Sequence, residues 1–146
     1  MQIEIKIDSS CTEPRIVVVT DRMTDEVKEV VKKLSEESPQ ILTGFRGDAL
    51  EVIEQPEIIR IYAALGKVFA VTEKGEYTLR LRLYELENRL DKNRFVRISH
   101  SEIINLKKVR GFDLSFAGTI CVTLSNGTVT YVSRRYVARI KQVLGI

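Results

Sequence analysis

Residues 94–110 run RFVRISHSEIINLKKVR, and this stretch restricts the chain more than any other. Phe95, Val96, Ile98, Ile103, Ile104, Leu106 and Val109 are core-seeking residues. They are interleaved with Arg94, Arg97, His100, Ser101, Asn105, Lys107, Lys108 and Arg110. Guanidiniums, ammoniums and small hydrogen-bonding side chains on a stiff apolar frame suit the gripping of phosphates and contact with base edges. A second basic cluster, SRRYVARIK, occupies residues 133–141. Between the two lies no constellation for covalent chemistry, so the chain reads as a nucleic-acid binder and not an enzyme.

A length of 146 residues fits one domain, or one domain with a small appendage. The net charge is only +3, but it is unevenly spread. Residues 1–47 hold seven basic and nine acidic side chains, a balance of −2, whereas residues 89–146 hold eleven and three, a balance of +8. That asymmetry points to a polyanion-facing surface in the second half. MQIEIKIDSS lacks the basic region and apolar block of a signal peptide. Cys11 and Cys121 are far apart and read as free thiols, which places the chain in a reducing cytoplasm. One histidine and no CxxC leave almost no scope for a zinc site, and no cofactor or small-molecule substrate is expected.

The pattern along the chain predicts two parts. Ile3, Ile5 and Ile7 alternate with polar residues, the period of a half-buried strand, and Ile16 to Val19 reads as a second strand. A helix follows, capped by Thr24, with Val27, Val30, Val31 and Leu34 on one stripe and Ser38-Pro39 as its stop. Ile41 to Phe45 reads as a third strand. The expectation is a ββαβ region over residues 1–48, too small to fold alone and suited to regulation or self-association. From residue 49 strands are expected at 49–53, 58–62, 68–72 and 77–81, then a short helix carrying Leu83, Leu86 and Leu90. After the basic run a meander is expected over 111–116, 119–124 and 128–132, with Ser125-Asn126-Gly127 as a hairpin turn. Ser133 can cap a closing helix with Val137, Ile140 and Leu144 inside and Gly145 at its end. The fold class is α+β and mostly β.

The order of strand hairpin, LYELENRL helix, F-x-R-I-x-H-S-x-I-x-N-L over residues 95–106, and S-R-R-Y at 133–136 resembles the LytTR DNA-binding domain of bacterial transcription regulators. The resemblance covers residues 49–146. It implies small antiparallel sheets with short helices, and loops that read successive major grooves of duplex DNA at short repeated half-sites. Carried over position by position, it makes Lys67, His100 and Arg135 the base-reading residues. Arg97, Ser101, Asn105, Ser133 and Arg134 become candidates for phosphate contact or for support of the loops, support being the favoured role for Asn105; Lys107 and Lys108 join the phosphate candidates from their place in the basic run. The 48 residues before the domain are too few for the receiver domain that many members carry. The chain is therefore similar to stand-alone members, some of which are restrained by a small membrane protein. A homodimer on promoter repeats is the expected assembly.

Duller roles exist for each feature. Arg135 would also serve as a solvated first-turn residue, His100 as a surface hydrogen-bonder and Lys67 as an ordinary turn lysine. The His100/Ser101 pair has no Asp to orient the histidine and no oxyanion motif. Cys121 reads as core. Tyr62, Tyr84, Tyr131 and Tyr136 would stack on single-stranded bases if exposed, but their positions favour core or rim. Two other classes stay open: an RNA or single-strand binder, and an interaction module without DNA binding. Salt-dependent binding to duplex DNA separates the second of these from the main reading.

Overall fold

The computed structural model describes residues 1–35 and 41–146. The chain divides into two compact units, residues 1–37 and 38–146. In the first unit, helix α1 spans Asp25–Ser35 with Asp25 and Glu26 in its first turn and Lys32 and Lys33 in its last, a charge order that suits the helix dipole. Thr24 caps it as expected, its Oγ1 accepting from the Val27 amide at 3.3 Å. The expected stop at Ser38-Pro39 lies outside the described residues.

The two strands expected before this helix are absent. Residues 3–7 and 16–19 form no strand and pair with no strand among the described residues, and Ile3, Ile7 and Val19 are each more than nine-tenths exposed. Alternation and β-branching make a segment fit for a strand, but a strand exists only where a neighbour takes its backbone hydrogen bonds. The expected ββαβ region thus keeps its helix alone. Its last strand forms, but inside the second unit.

The second unit contains strands β1 (Leu42–Arg46), β2 (Ala49–Ile53), β3 (Ile58–Ala64), β4 (Lys67–Thr72) and β5 (Gly75–Leu79), then helix α2 (Leu83–Arg89). Strands β6 (Phe95–Ser99), β7 (Glu102–Asn105), β8 (Val109–Asp113), β9 (Ile120–Leu124) and β10 (Val129–Val132) follow, and helix α3 (Arg134–Leu144) closes the chain. The antiparallel strands form a seven-stranded sheet in the order β2-β1-β5-β4-β3-β7-β6 and a three-stranded sheet in the order β10-β9-β8. The expected boundary at 48 falls in the β1–β2 turn, between paired Arg46 and Ala49, so it would split a hairpin. Strand β8 lies two residues earlier than the meander pattern implied, because Val109 already pairs with Leu124.

Two cores lie on opposite faces of the large sheet. One gathers Ile58, Ile61, Ala70, Leu79, Phe95 and Ile103 with Leu83, Leu86 and Leu90 around α2. The other gathers Ile59, Val96, Ile98 and Ile104 with Ile120, Val122, Leu124, Val132 and Ile140 of the small sheet and α3. Neighbouring residues therefore serve different cores: Phe95 and Val96, Ile103 and Ile104. Strands covered on both faces need apolar residues at both parities, which is why these segments do not show a clean two-residue alternation. A register shift at Ile58/Arg60 lets Ile58 and Ile61 face the same core. Strand β1 approaches the first core so closely that a Cβ on Gly44 would stand 2.6 Å from Ile53 Cδ1 and 2.8 Å from Tyr77 Cβ. Helix α3 carries Ile140 fully buried, with Val137 and Leu144 beside it, and ends at Gly145. Cys121 is half-buried, because Ile120 and Val122 take the core-facing parity of β9. No helix of the described residues is long and apolar enough to cross a membrane.

Ile104 is fully buried between the two sheets. Ile104→Ala is expected to lower unfolding stability by about 2–5 kcal/mol in a denaturant titration. A loss below about 1 kcal/mol would mean the second core does not close as described.

Candidate nucleic-acid interface

Three chain segments meet at one end of the large sheet. The β3–β4 turn holds Leu65 and Gly66, the β6–β7 turn holds His100 and Ser101, and the start of α3 holds Ser133, Arg134 and Arg135. Backbone hydrogen bonds pin them together. The Ala63 amide donates to the Ser101 carbonyl at 2.8 Å, and the Ser133 amide donates to the Ile98 carbonyl at 2.9 Å. Val68 and Ala70 pack on the first core, so by strand alternation Lys67 points to the face that carries the small sheet and α3. Lys67, His100 and Arg135 are exposed, and among the described residues none of their side chains has a hydrogen-bond or ion-pair partner. The three residues singled out as base readers thus share one edge.

The remaining candidates separate into supports and outliers. Arg97 is only 11% exposed, and each nitrogen of its guanidinium makes a bond within the protein. Nη1 pairs with Glu87 of α2 at 2.9 Å, Nε donates to the Ser99 carbonyl at 2.8 Å, and Nη2 donates to the His100 carbonyl at 2.5 Å. Three of its five N–H donors are thus spent on the protein, and it braces the β6–β7 turn against α2 with little surface left to offer a phosphate. Ser101 is exposed in that turn, and its amide donates to Ser99 Oγ at 3.2 Å. Ser133 occupies the cap position of α3 without a side-chain capping bond. Arg134 is exposed and lies over Gly118 of the β8–β9 loop, with Nε 3.2 Å from where a Cβ there would sit. Asp113 opens that loop by accepting from the Ser115 amide and hydroxyl at 2.9 and 2.6 Å. Those bonds hold its carboxyl below the usual range.

Asn105 takes the favoured support role and leaves the set of phosphate-contact candidates. It has no exposed surface, its Nδ2 donates to the Ile58 carbonyl at 2.8 Å, and its Oδ1 accepts from the Lys107 amide at 3.0 Å. A fully enclosed side chain cannot meet DNA, so its role is to join β7 to β3. Lys107 and Lys108 are displaced as well. Strand β7 runs away from the His100 turn, so both lie at its far end, and Lys108 Nζ pairs with Glu73 of the β4–β5 turn at 3.0 Å.

One support was visible in sequence only as the lone acid in the basic run. Glu102 is buried, and its Oε2 takes Arg60 Nε at 2.7 Å while Oε1 accepts from Thr130 Oγ1 at 2.6 Å. One carboxylate thereby joins β3, β7 and β10, and with them the two sheets. The tyrosines are mostly occupied. Tyr62 lies under the Arg60 guanidinium at 4.2 Å and donates to the Glu76 carboxylate, a bond that pushes its phenol pKa up. Tyr136 packs against the second core. Tyr84 and Tyr131 are exposed, the latter edge-on to Phe116 with centroids 6.0 Å apart. Among the described residues no cluster of His, Cys, Asp or Glu could hold a metal.

The model of the LytTr DNA-binding domain matches residues 48–145. Relatives described as uncharacterised HTH-type transcriptional regulators of Staphylococcus aureus, from strains NCTC 8325 / PS 47 and bovine RF122 / ET3-1, are 31% identical over 147 residues. Each alignment covers 100% of this chain and 99% of the relative. A solved LytTr DNA-binding domain from Bacillus cereus superposes with a TM-score of 0.70 at 23% identity, covering 73% of this chain and 97% of that one. The relatives' descriptions name a helix-turn-helix, whereas here strands β6 to β10 separate α2 from α3.

Asn105→Ala leaves the buried Ile58 carbonyl without its donor and is expected to cost about 1–3 kcal/mol of stability. Well below the lowered melting temperature its affinity for DNA should equal the parent's. A loss of affinity with unchanged melting would return Asn105 to the interface.

Proposed function

The chain belongs to the LytTR DNA-binding family, and from that premise we propose that it is a sequence-specific transcriptional regulator. In this reading Lys67, His100 and Arg135 enter the major groove of duplex DNA at repeated half-sites. The observation that carries the reading is the convergence of three unpartnered polar side chains on one pinned edge. Arg135 offers the bidentate fork that matches guanine O6 and N7, His100 a donor or acceptor, and Lys67 a point charge for a base edge or phosphate. Ser101, Ser133 and Arg134 flank these tips and serve phosphates. Arg97, Glu102 and Asn105 position the loops without touching DNA.

Selection from a random duplex pool, followed by titration of the selected site in rising salt, tests this. Arg135→Ala is expected to cost about 1–3 kcal/mol and to relax preference at one base pair. Arg134→Ala should weaken all duplexes alike and lower the salt slope by about one, while Lys108→Ala should leave the slope unchanged. Equal affinity for single strands, RNA and duplex of any sequence would overturn the reading.

The reading includes self-association through residues 1–48. Two segments of strand-like sequence, 3–7 and 16–19, expose their apolar side chains and leave their backbone edges unpaired in the single chain. Pairing two copies would cover them and hold two reading domains on adjacent half-sites. The full chain should sediment as a dimer at micromolar concentration. Ile5→Lys with Val17→Lys should yield a monomer that keeps its affinity for one half-site and loses about a hundredfold on paired sites. A monomeric parent would overturn this part.

A further inference from the structure

The β3–β4 turn contains a residue that no local rule favours. Leu65 has φ 54 and Gly66 has φ 74, so the two-residue turn closing Ala64 against Lys67 needs the left-handed region at both positions. Asn-Gly or Gly-Gly is the usual solution, because a large side chain with positive φ is strained. Among the described residues Leu65 is the non-glycine residue with positive φ. It is also 98% exposed, the most of any large apolar side chain among them. Strain and full exposure of an apolar group are both unfavourable for the free protein. Such a residue marks a site where the bound state supplies the compensation.

Its surroundings say what that state is. Lys67 is two residues on, and the neighbouring Ala63 amide is bonded to Ser101 beside His100. Leu65 therefore projects from the same edge as the three unpartnered polar side chains. On a duplex, the apolar surface available to such a tip in the major groove is the thymine C5-methyl group. Phosphates and the other base edges offer a Leu side chain nothing.

We propose that Leu65 is a specificity-determining residue that packs on a thymine methyl in the major groove, on the side of the site read by Lys67. This rests on the reading of the edge as a duplex-binding surface. It adds an apolar contact, and a preference for thymine, to a recognition set that is otherwise polar.

The test uses the full chain on the selected duplex, with each thymine replaced in turn by uracil, which removes only the methyl. For the parent, uracil at one thymine should weaken binding about three- to fivefold, the value of one buried methyl. Leu65→Ala should bind the unmodified duplex more weakly and lose its response to uracil at that position, keeping any responses elsewhere. Leu65→Gly fits the positive φ, so it should raise the melting temperature while showing the same insensitivity to uracil. If the parent binds duplex but responds to uracil no differently from Leu65→Ala at every thymine, the assignment of Leu65 fails and the duplex reading stands. A loss of affinity in Leu65→Ala without any uracil response would mean a wedge between base steps and also overturns the methyl contact. A parent that binds no duplex overturns both.

Discussion

Strands β3, β7 and β6 are buried on both faces, and the geometry of the basic edge depends on this. A turn at the end of a one-sided sheet strand has a solvated flank and can shift. Here the strands that carry the Leu65–Gly66 and His100–Ser101 turns are held between two apolar cores. The strands cannot slip by one residue, because a slip would exchange Phe95 with Val96 and Ile103 with Ile104 between cores of different shape. Glu102 adds a polar lock at the same end. Its desolvation is offset by Arg60 and Thr130, and the loss of either partner would leave a buried carboxylate short of a hydrogen bond. The tips are thus set before any ligand arrives, which limits the ordering entropy that binding must overcome.

Much of this was legible in the sequence. Strands β2 to β5, β9 and β10, helices α2 and α3, the cap at Thr24 and the end at Gly145 follow from local patterns, while Lys67, His100 and Arg135 were singled out by the family resemblance and only the structure brings them to one edge. Other features were not legible, for identifiable physical reasons. Periodicity records that Ile3, Ile5 and Ile7 can line a face, but whether a partner strand exists is a non-local fact. The engagement of Arg97 by Glu87, ten residues earlier, depends on where α2 lies over β6. Leu65 reads in sequence as an ordinary apolar residue before Gly66, and only its φ and exposure single it out.

The division between supports and tips follows from the same geometry. Arg97 and Asn105 are fixed positions of the 95–106 motif and Glu102 lies between two of them, yet all three use their polar atoms within the protein itself. They hold the shape of the turns, and a shape can be common to many operators. The side chains at the tips have no internal partner and are free to differ without cost to the fold.

Linear charge counting overstates the basic surface for a related reason. Of the cations behind the +8 balance of residues 89–146, Arg97 is paired with Glu87 and Lys108 with Glu73. Both acids come from the preceding segment, outside the counted window. Fewer free cations remain at the edge than the count implies, so each domain should release few counterions and bind non-specific duplex weakly at physiological salt. Weak non-specific binding favours discrimination, but it leaves a single domain with modest affinity. A regulator built this way gains more from a second domain on an adjacent half-site than from added lysines, since avidity multiplies the specific contacts and leaves the non-specific background low.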